Sequence, residues 1–256
     1  MTWLALSFSL GFVGVASIIA RYQELGLEKD LAIGVIRALI QLTIVGYILS
    51  YVFAQQHALY IFLMLILMIG VATQNAASRG RGISKVHWIV LSGITVSEVV
   101  TLSLLLILHI IPATPQYIIP LSGMIVGNCM VSSSVTLNRL HSEMKLRRGE
   151  VELALSLGAS PKTAAFPVVK AAVRAGMIPM IDSMKTVGLV QLPGMMTGQI
   201  LAGADPILAV RYQILVQFML TGATAIASLI VVLMGYRRYF TEQAQLAMRD
   251  ETMHNS

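Results

Sequence analysis

The sequence predicts an all-α, polytopic membrane protein: a single transmembrane domain over residues 1–256 with about seven spans. Three observations predict it. The 256 residues are 56% hydrophobic and 12% charged, where a soluble domain carries about 25% charged residues, so there is too little charge to cover a water-facing surface. Several apolar runs reach the ~18 residues needed to cross roughly 30 Å of hydrocarbon. The Lys and Arg residues gather in alternate loops. A transmembrane barrel would show alternating strands of about ten residues, whereas these runs are continuous.

Seven apolar segments follow in order. Trp3–Ala20 is preceded by no Lys or Arg, so it lacks the basic start of a signal peptide. Leu31–Phe53 carries one charge, Arg37, and Ala58–Thr73 carries none. His87–Ile111 carries Glu98, and Tyr117–Thr136 carries Asn128, Cys129 and Met130. Met177–Ala202 holds Asp182, Lys185, Gln191 and Gln199 around a Pro193-Gly194 pair. Ile207–Tyr236 closes the set, with Arg211 near its start.

The loops fix an expected orientation. "RYQELGLEKD", "QNAASRGRGISKV", Leu137–Gly176 and the tail from Arg237 hold 15 of the 18 Lys and Arg residues. "AQQH", "PATPQ" and "GADP" hold none. Basic loops stay cytoplasmic, which predicts an outer N-terminus, a cytoplasmic C-terminus and an odd number of spans. Residues 137–176 are rich in helix formers. Gly158 is a helix stop, and Ser160-Pro161 reads as an N-cap followed by Pro in the first turn. This predicts helix, turn, helix on the cytoplasmic side. No internal repeat or low-complexity tract is evident.

Charges inside spans cost at least ~2.5 kcal/mol on insertion scales and face protein or water. Counted at the rise of a helix, Arg37, Asp182 and Lys185 all lie about 8–12 Å from the inner surface. They are expected to form an inner charge cluster, which either pins helices together or gates a pathway. Glu98 lies about 17 Å deep, near the midplane. Gln41, Asn128, Cys129 and Met130 match that depth, so the five form a candidate metal set. Carboxylate, amide and water suit divalent iron, while thiolate and thioether favour softer ions. Structural readings compete: a hydrogen-bonded carboxyl inside the bundle, and methionines that merely fill gaps. Pro193 and Gly194 break the sixth span, and broken helices are tolerated at membrane depth where they line a cavity or lie in protein. Gln191, Pro193, Gly194, Met195 and Met196 are the candidate pathway and hinge residues.

The chain holds no nucleotide-binding G-x-x-x-x-G-K-[ST], no G-x-S-x-G and no H-E-x-x-H. Its one cysteine, Cys129, excludes an internal disulfide framework. No catalytic residue is assigned, and an enzyme is not expected.

The loop stretch "ELALSLGA" places Glu152, Ala154 and Gly158 at the spacing E-x-A-x3-G. It is similar to the coupling loop with which permeases of ABC transporters dock an ATPase. It departs from that pattern at Leu153 and at Val168–Ala171. Around it, "GLEKD", "RALIQLTIVGYIL", "PLSGMIVGNCMV", "LSLGASPK", "DSMKTVGLVQLPGMMTGQILAGADP" and "YQILVQFML" occur in this order. Together, over Leu25–Tyr239, they resemble the FetB (YbbM, UPF0014) family of ABC permeases. The resemblance implies a multi-pass subunit of the inner membrane. It would work as a pair with two copies of a separate FetA-like ATPase, which binds ATP and Mg2+. The family's activity is bacterial iron (Fe2+) export and peroxide resistance, and plant relatives are tied to aluminium tolerance and to UDP-glucose export. By the same resemblance Glu150, Glu152, Ala154, Gly158, Ala159, Pro161 and Lys162 would contact the ATPase. Export of a nucleotide-sugar or another small molecule is the alternative cargo. A proton-coupled transporter using Glu98 and Asp182 as relay groups is the alternative mechanism, and a non-transporting assembly factor is the reading from a third class.

Overall fold

The computed structural model describes residues 3–24, 26, 28–55, 57–80 and 83–247. They form α1 (Trp3–Tyr22), α2 (Glu28–Gln55), α3 (Ala58–Ala77), α4 (Val86–Ile107), α5 (Pro115–Leu146), α6 (Arg148–Ser156), α7 (Pro161–Thr186), α8 (Gly194–Leu201) and α9 (Pro206–Gly235). A short 3-10 turn, Tyr236–Tyr239, follows. Among the described residues β pairing is limited to two isolated bridges. Six helices, α2, α3, α4, α5, α7 and α9, are long and apolar enough to cross a membrane. In α1 the stretch Gly11–Tyr22 is a shorter apolar helix.

The chain divides into two units, Met1–His57 and Ala58–Ser256. In the first, α1 and α2 pack on each other. In the second, α5 is the hub, meeting α3, α4, α7 and α9, while α9 also meets α4, α7 and α8. The core is closed: Ile89, Ile94, Ile125, Leu137, Leu140, Val168 and Val231 are fully enclosed.

The helix, turn, helix within residues 137–176 forms as local chemistry requires. At the end of α6 the Gly158 N–H donates to the Leu155 carbonyl and the Ala159 N–H to the Ala154 carbonyl, each at 3.0 Å. This double closure needs a left-handed residue at its centre, which Gly158 supplies at φ 89°. Ser160 caps α7 by accepting from the Thr163 N–H at 3.3 Å, with Pro161 in the first turn.

From Pro161, α7 runs unbroken for 26 residues to Thr186. The expected sixth segment, Met177–Ala202, is thus only partly a helix of its own: its first half is the far end of α7. The break is also wider than the kink expected at Pro193-Gly194. Residues 187–193 leave the helix, with Val187 paired to Gln191, and α8 restarts at Gly194 behind Pro193 as its N-cap. The physical reason lies at Thr186, whose carbonyl takes the N–H groups of Val190 (3.0 Å) and Gln191 (3.3 Å) and closes the helix early. Pro193 then keeps the residue before it out of helical geometry.

Midway along α7, Gly176 is wedged between α5 and α9. A Cβ there would strike Thr136 Oγ1 and lie 3.1 Å from both the Ser132 carbonyl and Ser228 Oγ. Close approach through a residue without a side chain is how helices cross tightly in membranes.

Candidate functional site

Two cavities open on one face of α5. One, termed inner after the orientation expected from the basic loops, has a volume of about 90 Å³ and is lined by Asn128, Val131 and Ser132 of α5, by Gly176, Pro179, Met180 and Ser183 of α7, and by Thr224 of α9. The outer one, about 380 Å³, is lined by Ile111, by Gln116, Tyr117, Pro120, Leu121 and Met124 of α5, by Met195 and Gln199 of α8, and by Tyr212, Leu215 and Val216 of α9. The α5 positions 117, 120, 124, 128, 131 recur at three- and four-residue spacing, so they form one stripe of the helix. Asn128 links the two levels, donating from Nδ2 to the Met124 carbonyl at 2.8 Å. The break at 187–193 joins α7, which lines the inner cavity, to α8, which lines the outer one.

At the base of the inner cavity Ser132 Oγ donates to the Gly176 carbonyl at 3.0 Å and shares a 2.5 Å hydrogen bond with Ser228 Oγ. This clasp and the bare Cα of Gly176 pin α7 to α5 and α9 at one crossing. Among the glycines described, an added Cβ would meet its nearest neighbour most closely here.

The opposite face of α5 is sealed. There Glu98 of α4 is 2% exposed and Cys129 of α5 is wholly buried. Cys129 lies close enough to interact with both Glu98 and Ser97, and Ser122 of α5 neighbours the Glu98 carboxyl. Among the described residues neither Glu98 oxygen has a hydrogen-bond partner within 3.5 Å, and neither does Ser122 Oγ. The four residues of the expected metal set that belong to the second unit have different neighbours. Glu98 and Cys129 meet, Asn128 looks the other way into the inner cavity, and Met130 packs against the core. Gln41 stands on α2 in the first unit. Among the described residues no three of His, Cys, Asp and Glu are grouped to hold a metal.

Of the inner charge residues, Asp182 and Lys185 pair at 3.7 Å on the exposed side of α7, and Arg37 stands on α2 in the first unit. Of the hinge residues, Met195 lines the outer cavity, whereas Met196 does not. Gln191 works through its backbone: its carbonyl accepts from the Gly188 N–H at 2.9 Å.

At the other end of α7 the coupling candidates sit on an exposed corner. Glu152 pairs with Arg148 at 2.8 Å and Glu150 with Arg147 at 3.5 Å. Behind them Glu143, buried, takes Arg139 and Arg147 from the turns on either side of it. This carboxylate, with Glu150 beyond it, raises the Arg147 pKa. The ion pairs stiffen the α5–α6 junction. Lys162 is exposed, as are Leu153, Leu157 and Phe166 (61%, 80% and 60%), an apolar patch flanked by charge.

Sequence reasoning passed over Gln213 and Gln217, one turn apart and buried on α9, with Gln213 Oε1 and Gln217 Nε2 unpartnered. Their signal was present as two amides four residues apart in an apolar run. It also passed over Ser132, Gly176, Thr224 and Ser228, which look like ordinary small residues of packed spans.

The fold and its apolar helices define a multi-pass α-helical membrane protein. The chain belongs to the UPF0014 family, described as "Uncharacterised protein family (UPF0014)", which it matches over residues 3–240. It is 46% identical over 250 residues to "UPF0014 membrane protein YjkA" of Bacillus subtilis, covering 98% of this chain and 100% of the relative. It is 39% identical over 244 residues to "Probable iron export permease protein FetB" of Escherichia coli, covering 95% and 94%. Over 238 residues it is 37% identical to "Protein ALUMINUM SENSITIVE 3" of Arabidopsis thaliana, covering 93% and 87%. No solved structure matches the chain significantly.

Proposed function

We propose that this chain is the membrane-spanning subunit of an ABC exporter, with Fe2+ as its cargo and ATP and Mg2+ bound by a separate FetA-like ATPase. One observation carries the reading. The exposed turn at 157–160 and the break at 187–193, which leads into the cavity-lining α8, lie at the two ends of a single helix, α7, pinned at Gly176. A push on the turn tilts the far end against α5 and α9, where the two cavities lie. The apolar patch of Leu153, Leu157 and Phe166, bordered by Glu150, Glu152 and Lys162, is the docking surface for the ATPase. The name of the Escherichia coli relative supports iron as cargo.

Two copies of the chain pair with two ATPases in the inner membrane, with the basic loops and the docking corner cytoplasmic. The irregular segment 187–193, with Leu189, Val190 and Leu192 exposed on this unit, supports an assembly that covers it, because lipid-exposed irregular backbone does not occur in hydrocarbon. Asp182 and Lys185, charged and exposed on the same helix, ask for the same cover. Iron export by this subunit contributes to metal homeostasis and resistance to oxidative stress.

One observation favours a second reading. Glu98 is a buried carboxyl without a hydrogen-bond partner, the kind of group a proton-coupled carrier uses. The experiment that separates the two is co-purification with the candidate ATPase in lipid, followed by ATP hydrolysis titrated with Fe2+ and with UDP-glucose. Stimulation by Fe2+, abolished with co-purification in Gly158→Pro, is the expected result. An assembled and stimulated Gly158→Pro complex would remove the docking claim. Absence of any ATPase would favour the proton-coupled carrier.

A further inference from the structure

The inner cavity has a chemical polarity that its composition does not announce. Its polar lining is made of neutral side chains, and three of them each commit a hydrogen to a backbone carbonyl. Ser132 gives its single proton to the Gly176 carbonyl, so its short bond to Ser228 is made with the Ser228 proton. Thr224 gives its proton to the Leu220 carbonyl at 2.8 Å. Asn128 turns its amide nitrogen onto the Met124 carbonyl, which leaves Oδ1 as the acceptor end of the group. The cavity therefore offers acceptor oxygens from Asn128, Ser132 and Thr224, and the hydroxyl of Ser183 on α7 also lines it. Such a lining receives a guest that is positive or carries donors. A water needs about 10–15 Å³ of such space, so about 90 Å³ admits a small ion with part of its hydration shell.

We propose that the cavity between α5, α7 and α9 is a transient binding site for a partly hydrated divalent metal cation, held by Asn128 Oδ1 and the hydroxyl oxygens of Ser132, Ser183 and Thr224. Carbonyl, hydroxyl and water oxygens suit the harder divalent ions. Without a carboxylate in the lining the ion is held loosely, as conduction requires of a site that must also release. The role of the site as a station in export rests on the permease reading, but its existence does not. It relocates the metal from Glu98, on the sealed side of α5, to the side where the fold leaves room.

The test is Mn2+ binding to the full chain in lipid nanodiscs, followed by electron paramagnetic resonance and without any ATPase present. Asn128→Leu and Thr224→Val are expected to weaken binding at least about tenfold, the loss typical of removing a partner at a metal site. Asn128→Asp, which adds a charged ligand, is expected to tighten it by about tenfold, since charge count tunes affinity at oxygen sites. Ser183→Ala, at a partly exposed position, provides a variant that leaves the helix crossing intact and is also expected to weaken binding. Glu98→Gln is expected to leave binding unchanged. Binding lost in Glu98→Gln and retained in Asn128→Leu would overturn the proposal, as would no Mn2+ binding by the unmodified chain. Binding that follows the Asn128 series while a co-purified ATPase stays unstimulated by metal would uphold the site and bring down the permease reading instead.

Discussion

The two faces of α5 carry polar groups through the same apolar bundle and are built in opposite ways. Towards α4, Ser122 and Cys129 neighbour Glu98, and these two and Ser133 on α5 are all buried, with the side-chain oxygens of Glu98, Ser122 and Ser133 lacking hydrogen-bond partners among the described residues. Towards the broken α7–α8 path, Asn128 and Ser132 are hydrogen-bonded, as is Thr224 across from them, and they border open volume. The contrast separates two uses of polarity in a membrane. An unpartnered buried group marks stored cost, whereas a satisfied group beside a void marks a place where something can sit. The loudest residue in the sequence, Glu98, lies on the closed face, and the quieter hydroxyls and amide lie on the open one.

The contrast can be broken most forcefully at the Gly176 crossing. Gly176→Val drives a branched side chain into Thr136, Ser132 and Ser228. It is expected to cost about 3 kcal/mol, the upper end for overpacking, visible as a lowered thermal unfolding midpoint in detergent and lost transport. A Gly176→Val protein that unfolds at the unmodified temperature would show that the crossing is not tight.

A smaller and sharper comparison uses two serines. Ser228→Ala removes the donor to Ser132 and is expected to cost about 1 kcal/mol. Ser133→Ala, on the closed face with no partner to lose, is expected to be neutral or slightly stabilising. Equal losses at the two positions in denaturant or thermal unfolding would erase the distinction between the faces.

What the sequence made legible follows the range of each force. Turn chemistry acts within a few residues, so Gly158, Ser160 and Pro161 announced the α6–α7 corner and its caps directly. The apolar segments announced the long helices, since hydrocarbon thickness sets a length that composition records. Pro193 announced a break, but the closing of α7 at Thr186 depends on the Val190 and Gln191 N–H groups turning back on one carbonyl, which no residue type signals. Depth was estimated by counting residues, but counting along a helix does not say which way a side chain points. Asn128 and Cys129 share a depth but have different neighbours, the inner cavity for one and Glu98 for the other. Gly176 was legible only as the end of a loop; its place as a crossing depends on which helices pack, which is a tertiary fact.

The most direct test of the open and closed faces uses the fact that Cys129 is the only cysteine. In a Cys129→Ser background, single cysteines at Met124, Asn128 and Thr224 would be compared with single cysteines at Ser122, Val126 and Ser133. Their reaction rates with a small membrane-impermeant thiol reagent would be measured in proteoliposomes, with and without the ATPase and ATP. The account predicts that the first three react at least about tenfold faster, since thiol reactivity follows access, and that ATP changes their rates. Faster reaction at Ser122, Val126 and Ser133, or equal rates on both faces, would contradict it.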